Sequence, residues 1–350
     1  MPDFVLRPAL SGNGRPMTLV DGGGASLAAL CAWIAGQREA IEQAWLHQGS
    51  LRLRGFDVLG AEAFEQVALA LEADLKNDYL GTSPRAAKSR YVFSASELPP
   101  TYPIPQHIEM SFLPSAPRKL FFHCTRAPQR DGETPTVDMR AVWRALDPQV
   151  REAFAQRGVR NIRNYDGPAS PKGFDLWKLK RWDEMFQTAD RAVAERKAAE
   201  QGLRCQWLPQ DRLRLVNEQP ASRPHPVTGE TVWFNHTQVF HVAAAAVEYR
   251  HIRRRQRGLR AAFFTALIGA LTALKSRLQA PEQQGMHACF GDGSEISREQ
   301  LEHLVETIWA HLVIEPWQTG DVLAIDNRST AHGRMPYSGP REVLVAWTGT

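Results

Sequence analysis

The chain has 350 residues, 43% hydrophobic and 23% charged, with a formal net charge of +4, proportions ordinary for a globular enzyme. So small an excess of cations argues against a nucleic-acid coat, no apolar run of the roughly 20 residues a membrane helix needs is evident, and the N-terminus MPDFVLR lacks the plan of a signal peptide. Cys31, Cys124, Cys205 and Cys289 lie far apart with no Cys-x-x-Cys pair, which indicates neither a disulfide framework nor a zinc ribbon and suits a reducing, cytoplasmic setting.

In chain order, residues 1–22 read as an extended arm and Gly22-Gly23-Gly24 as a turn. Ser26 then precedes an apolar-periodic helix, Leu27 to Leu46. The alternation of Leu51, Arg52, Leu53 and Arg54 predicts a half-buried strand, and Ala61 to Leu75 a second helix. A mostly buried strand is expected over Arg118–Cys124, a helix over Arg140–Arg157 and a strand from Gly158 to Tyr165. From about Asp166 to Pro316 the pattern is mostly helical, interrupted by a strand at 231–235. Gly320-Asp321 turns into a short apolar strand ending at Asp326, residues 327–330 form a polar loop carrying His332, and a turn at 337–340 leads to a last strand, 342–347.

Within this frame, His107-Ile108-Glu109 and the distant His332 form the ligand set of a facial iron(II) site, two imidazoles and one carboxylate with the opposite face left open. Residues two apart on a strand point the same way, so His107 and Glu109 can reach one ion. An isolated His-x-Glu is more often an unrelated surface pair; the surroundings reverse that here. The turn at 337–340 would bring Arg341 back opposite His332, where its guanidinium could take the distal carboxylate of a dicarboxylate in a bidentate fork while the Thr134 hydroxyl adds a hydrogen bond. A His₂Glu set can also serve catalytic zinc, but no His-Glu-x-x-His helix is present.

Five segments together are recognisable: PQHIEMSF at 105–112, GETP at 132–135, HPVTGETVWFNH at 225–236, FGDGS at 290–294 and DNRSTAHGRMPYSGPR at 326–341. The chain resembles the iron(II)/2-oxoglutarate-dependent oxygenases of the taurine dioxygenase superfamily, within it the syringomycin-type aspartyl β-hydroxylase subgroup, from about Ser50 to the C-terminus. The resemblance implies that His107, Glu109 and His332 bind iron(II), that Thr134 and Arg341 bind 2-oxoglutarate, and that O₂ is the second co-substrate. It also implies a mainly β fold with helical insertions on a double-stranded β-helix, or jelly-roll, core. One domain would span 1–350, its core at about 50–165 and 317–350 and a helical lid at about 166–316. The chain departs from the subgroup at Ile108, where Asn is usual; strand alternation turns that residue away from the metal.

The activity so implied is hydroxylation of an unactivated C–H in an amino acid or amino-acid-derived substrate, free or tethered to a peptidyl carrier protein. Glu109 argues against halogenation, since related halogenases replace that carboxylate with a small residue. The alternatives are a desaturase or cyclising oxidase using the same chemistry, or a jelly-roll binding protein without turnover. A free amino acid needs buried polar contacts, for which Asn235, Arg334, Tyr91 and Ser94 are candidates. The basic run from Arg250 to Arg260 reads as a solvated lid face, with docking of an acidic carrier as the sharper alternative. His225, His236 and His241 have no acid at ligand spacing and point to structural or supporting roles.

Overall fold

The strand Lys119–Arg126 is buried at nearly every position, as expected of a strand with neighbours on both edges and cover on both faces. In the computed structural model, which describes residues 4–77, 86–113, 115–171, 179–280 and 283–350, it sits inside a seven-stranded sheet. The order runs Arg7–Leu10, Pro16–Ser26, Ser50–Asp57, Val322–Asp326, Lys119–Arg126, Glu342–Trp347 and Phe93–Ser94. All neighbours are antiparallel except Pro16–Ser26 with Ser50–Asp57. Alternation splits Lys119–Arg126 between two cores. Phe121 packs with Leu51, Leu53, Val322, Ala324 and Leu344 under helices that supply Leu30, Trp33 and Phe64. Leu120, Phe122 and Cys124 join Trp317, Val343, Val345 and Trp347 on the other face.

A smaller sheet carries Ile104–His107, Thr330–Arg334 and Thr136–Asp138, with Thr330–Arg334 in the centre. Its His332 lies against the large sheet, the imidazole 5.0 Å from the Phe122 ring, centroid to centroid. The space between the two sheets is where the functional groups gather.

Several expectations are corrected. The N-terminal arm is a hairpin, Arg7–Leu10 with Pro16–Ser26, and Gly22-Gly23-Gly24 lies inside its second strand at a register shift between Asp21 and Ala25; residues 1–3 lie outside the described residues. The helix expected over 27–46 is two, Leu27–Gly36 and Arg38–Gln48, broken at Gln37. That over 140–157 is also two, Met139–Ala145 and Pro148–Arg157, because Asp147 caps the second and Pro148 opens it without an N–H to continue the first. His332 stands on a strand, not in a loop. The stretch expected to be mostly helical holds three strands beside its helices, Arg204–Leu208, Arg212–Gln219 and Met286–Phe290, which join the expected strand Val159–Tyr165 in a four-stranded antiparallel sheet. One of those helices, Leu259–Leu278, is by length and composition apolar enough to cross a membrane, contrary to expectation; only 11% of its apolar window is buried. Thr265, Gly269 and Thr272 interrupt its apolar run and conceal it in the sequence.

The strand predicted to alternate apolar and basic residues keeps its cations inside. Arg52, 3% exposed, and Arg54 converge on Asp321, 1% exposed, at 2.8 and 2.7 Å. Arg54 also reaches Glu315 at 2.8 Å, and the Arg52 guanidinium lies 4.6 Å over the Trp317 ring. Burial pulls the Arg52 guanidinium below its usual range while Asp321 holds it up. Removing one partner of such a pair strands a buried charge at a cost of about 3–5 kcal/mol. Asp321→Ala is therefore expected to lose stability on that scale in denaturant titration, while Asp21→Ala, which ends the exposed pair with Arg7 and an exposed hydrogen bond from Gly23 N, changes it by about 1 kcal/mol.

Candidate active site

His107 ends its strand and pairs directly with His332 across the antiparallel ladder, so the two side chains project to the same face; the ring centroids are 4.6 Å apart. The His107 Nδ1 lies 2.9 Å from the Pro105 carbonyl, which assigns the proton to Nδ1 and leaves Nε2 as the lone-pair nitrogen. Gly333 follows His332 because a Cβ there would meet Gln106 Oε1 at 2.2 Å and the Ile104 carbonyl at 2.5 Å.

Glu109 lies beyond the end of the strand, where the chain turns back with Met110 at φ 55°. Asn327 is wholly buried and clasps the main chain there. Its Oδ1 accepts from Glu109 N at 2.8 Å, and its Nδ2 donates to the Glu109 and Pro117 carbonyls at 3.1 and 2.8 Å. The preceding Asp326 accepts from Ser329 Oγ at 2.7 Å and meets His225 Nε2 at 3.0 Å. Ile108 points away into an apolar cluster with Val137, Phe234 and Ala331.

The donor atoms of His107, Glu109 and His332 all lie within 4.8 Å of one another, with His332 Nε2 3.9 Å from Glu109 Oε2. Ligand bonds of about 2.0–2.2 Å from two imidazoles and a carboxylate fit that span, so the three groups could hold a divalent ion between them. Arg341 is beside them. Its Nε donates to the Gly132 carbonyl at 2.8 Å and its Nη2 to Thr134 Oγ1 at 3.3 Å. Thr134 Oγ1 also receives Trp317 Nε1 at 3.2 Å. No carboxylate among the described residues lies within 4.0 Å of the Arg341 guanidinium, and burial first, then Arg334, pushes it down to about 10. Gly132, at φ 73°, leaves room for the arginine stem; a Cβ would meet Arg341 Cδ at 3.2 Å and Tyr337 Cβ at 2.7 Å.

All five residues line one cavity of about 480 Å³, walled mainly by apolar groups such as Leu98, Phe112, Phe122, Phe240 and Ile268. Of the substrate-contact candidates, Arg334 is in its wall, but its Nη atoms go to the carbonyls of Leu98, Pro99 and Tyr102 at 2.7–3.0 Å, tying that loop down. Asn235, Tyr91 and Ser94 do not line it. Asn235 joins the Ala221 carbonyl to Thr237 N, Tyr91 N donates to Glu65, and Ser94 Oγ accepts from Ala86 N. Ala95, Ser96 and Leu98 face the cavity instead. Sequence reasoning gave His236 a structural or supporting role without naming its partner. It is buried against Ser111 Oγ at 2.7 Å, with its ring 5.4 Å from His107, and burial, His107 and Arg163 hold its imidazole well below the usual range. Its place at the end of the 225–236 segment was the available signal.

A family model described as "Taurine catabolism dioxygenase TauD, TfdA family" matches residues 13–347. The chain belongs to this family. It is accordingly an iron(II)/2-oxoglutarate-dependent oxygenase, as the resemblance implied. The dapdiamide synthesis protein DdaC of Enterobacter agglomerans is 30% identical over 87% of this chain and 84% of its own length. A clavaminate synthase-like protein of Arabidopsis thaliana is 28% identical over 89% and 84%. The crystal structure of PvcB from Pseudomonas aeruginosa superposes with a TM-score of 0.53 at 14% identity, covering 99% of this chain and 91% of that one, a likeness of fold.

Asn327 holds the main chain of Glu109 in place without itself being one of the three donors. Loss of such a supporting contact typically lowers metal affinity about 10–100-fold. Asn327→Ala is expected to weaken Mn(II) binding, followed by calorimetry, on that scale, against little change for Asn235→Ala.

Proposed function

We propose that this oxygenase hydroxylates an unactivated C–H of an amino acid or amino-acid-derived substrate in cytoplasmic secondary metabolism, the substrate arriving free or on a peptidyl carrier protein. In this reading His107, Glu109 and His332 hold the iron, Thr134 and Arg341 hold the distal carboxylate of 2-oxoglutarate, and the two facing sheets are the walls of a jelly roll. The observation that carries it is Arg341, a buried guanidinium with no carboxylate partner among the described residues, set beside a cluster of donor atoms that fits a divalent ion. A buried cation is costly unless an anion meets it, and a dicarboxylate chelating the neighbouring ion would supply that anion. The name of DdaC, a dapdiamide synthesis protein, favours a small-molecule biosynthetic role.

Iron(II) with 2-oxoglutarate and O₂ supplies an oxidant strong enough for an unactivated C–H, with succinate and CO₂ as co-products. The protein's part is positional. Pro105 and Asn327 fix the ligand side chains and main chain, Arg341 and Thr134 orient the co-substrate, and Phe112, Phe122 and Phe240 keep water from the reacting carbon. The Arg250–Arg260 run is only partly a free surface for an acidic carrier, since Arg255 pairs with the buried Glu133 at 2.7 Å and Arg250 with Glu302 at 2.9 Å, leaving Arg253, Arg254, Arg257 and Arg260 exposed.

The test supplies Fe(II), ascorbate and 2-oxoglutarate and measures succinate and oxygen incorporation by mass spectrometry over free amino acids and carrier-loaded aminoacyl thioesters. His107→Ala and His332→Ala should abolish turnover; full activity in either would end the ligand assignment. Leaving the distal carboxylate unpaired costs about 2–5 kcal/mol, so Arg341→Ala should raise the KM for 2-oxoglutarate by about 30-fold or more. Thr134→Val should have the smaller effect of one neutral hydrogen bond, about 0.5–1.5 kcal/mol.

A further inference from the structure

Among the described residues lining the cavity, Glu109 and Glu248 are the only carboxylates. Glu109 belongs to the donor cluster, which leaves Glu248 without a part in the chemistry. It stands on the helix Val242–Arg255 and is 5% exposed. Its Oε2 accepts from Trp309 Nε1 at 2.7 Å, and its Oε1 has no hydrogen-bond partner among the described residues. The helix turn before it is apolar, with Ala244 and Val247 in the core, and burial pushes the carboxyl up to about 7. A carboxylate so placed is costly unless a cation meets it from the cavity.

Two phenols accompany it. Tyr249, the next residue, and Tyr102 from the loop held by Arg334 both line the cavity. All three line the same cavity, Glu248 and Tyr249 as neighbours on one helix, and both Glu248 and Tyr102 act electrostatically on the Tyr249 hydroxyl. A protonated primary amine carries three N–H donors on a compact charge, and Glu248 Oε1 with the two phenol oxygens offers three acceptors.

We propose that Glu248, Tyr249 and Tyr102 form the subsite that binds a protonated primary amine on the substrate, with Glu248 as its counter-ion. This rests on the oxygenase reading above and narrows its substrate class. An α-carboxylate is not required by this subsite, so a free amino acid and an aminoacyl thioester satisfy it equally.

The test compares amino-acid substrates with their N-acetyl counterparts, each as free acid and as N-acetylcysteamine thioester, by succinate release and by calorimetric binding to the anaerobic Fe(II)·2-oxoglutarate enzyme. For the wild type, N-acetylation should lower kcat/KM by about 10–100-fold, the range of a charge-assisted hydrogen bond. Glu248→Gln keeps an acceptor for Trp309. It should raise KM and Kd for the free amine about 10–100-fold, with kcat within about threefold, and erase most of the discrimination against N-acetyl compounds. Tyr249→Phe should do the same more weakly, and guards against a folding defect in the first variant. Equal use of amine and N-acetyl compounds by the wild type, or unchanged discrimination in both variants, overturns the subsite while leaving the oxygenase reading standing. Absence of iron-dependent succinate release with every compound overturns both.

Discussion

The site depends on one buried amide. Two of the three donor side chains are placed by a ladder, because antiparallel pairing sets His107 opposite His332 and alternation turns both the same way. The third is not. Glu109 has left its strand, and the chain is already reversing through Met110 at a positive φ, a conformation that non-glycine residues adopt only when their surroundings insist. Asn327 supplies that insistence by gripping both the N–H and the carbonyl of Glu109. It stands in the link that joins Val322–Asp326 of the large sheet to Thr330–Arg334 of the small one. The carboxylate is thus referenced to the junction of both sheets, and Asp326, held by His225 and Ser329, stiffens that junction from the other side.

Charge is distributed by the same logic. Buried Arg52 and partly buried Arg54 are neutralised by Asp321, at the start of the strand leading into this junction, together with Glu315. Arg334 is buried without a carboxylate and spends its donors on carbonyls of the loop that forms one cavity wall. Among the described residues Arg341 donates to Gly132 and Thr134. Across the three cases carboxylate partners give way to a few neutral acceptors, and the guanidinium with the fewest of these among the three faces the cavity beside the donor cluster.

Much of this was legible in the sequence, for physical reasons. A His-x-Glu pair, a distant partner histidine and an arginine after a tight turn are polar residues placed against the apolar run of their neighbours, and such exceptions stand out; the expectation that strand alternation aims Glu109 did not hold, since the strand ends at His107. Strands buried on both faces, such as Lys119–Arg126 and Val322–Asp326, read as plain apolar runs. Arg204–Leu208 and Arg212–Gln219 did not, because a sheet with one face toward solvent mixes charge into every second position. Helix breaks at Gln37 and Asp147 were hidden by apolar spacing that continues across them. Tyr91 and Ser94, candidates for substrate contact, do not line the cavity, whereas Ser96 and Tyr102 do, on a loop tied down by contacts of Arg334 far along the chain. Glu248 carried no local signal, since an acid on an amphipathic helix looks solvated until its neighbours are packed.

Ile108, in the middle of the His-x-Glu segment, packs into a cluster shared with Val137, Phe234 and Ala331, which come from three separate parts of the chain. The segment is therefore not a cassette. Grafting a polar-centred version from another branch of the family would sink an amide into a dry hydrophobic wall with no partner provided. Divergence at the middle position must travel together with residues more than a hundred positions away, so comparisons of such enzymes by their short motifs alone will understate how far the surrounding cores have separated.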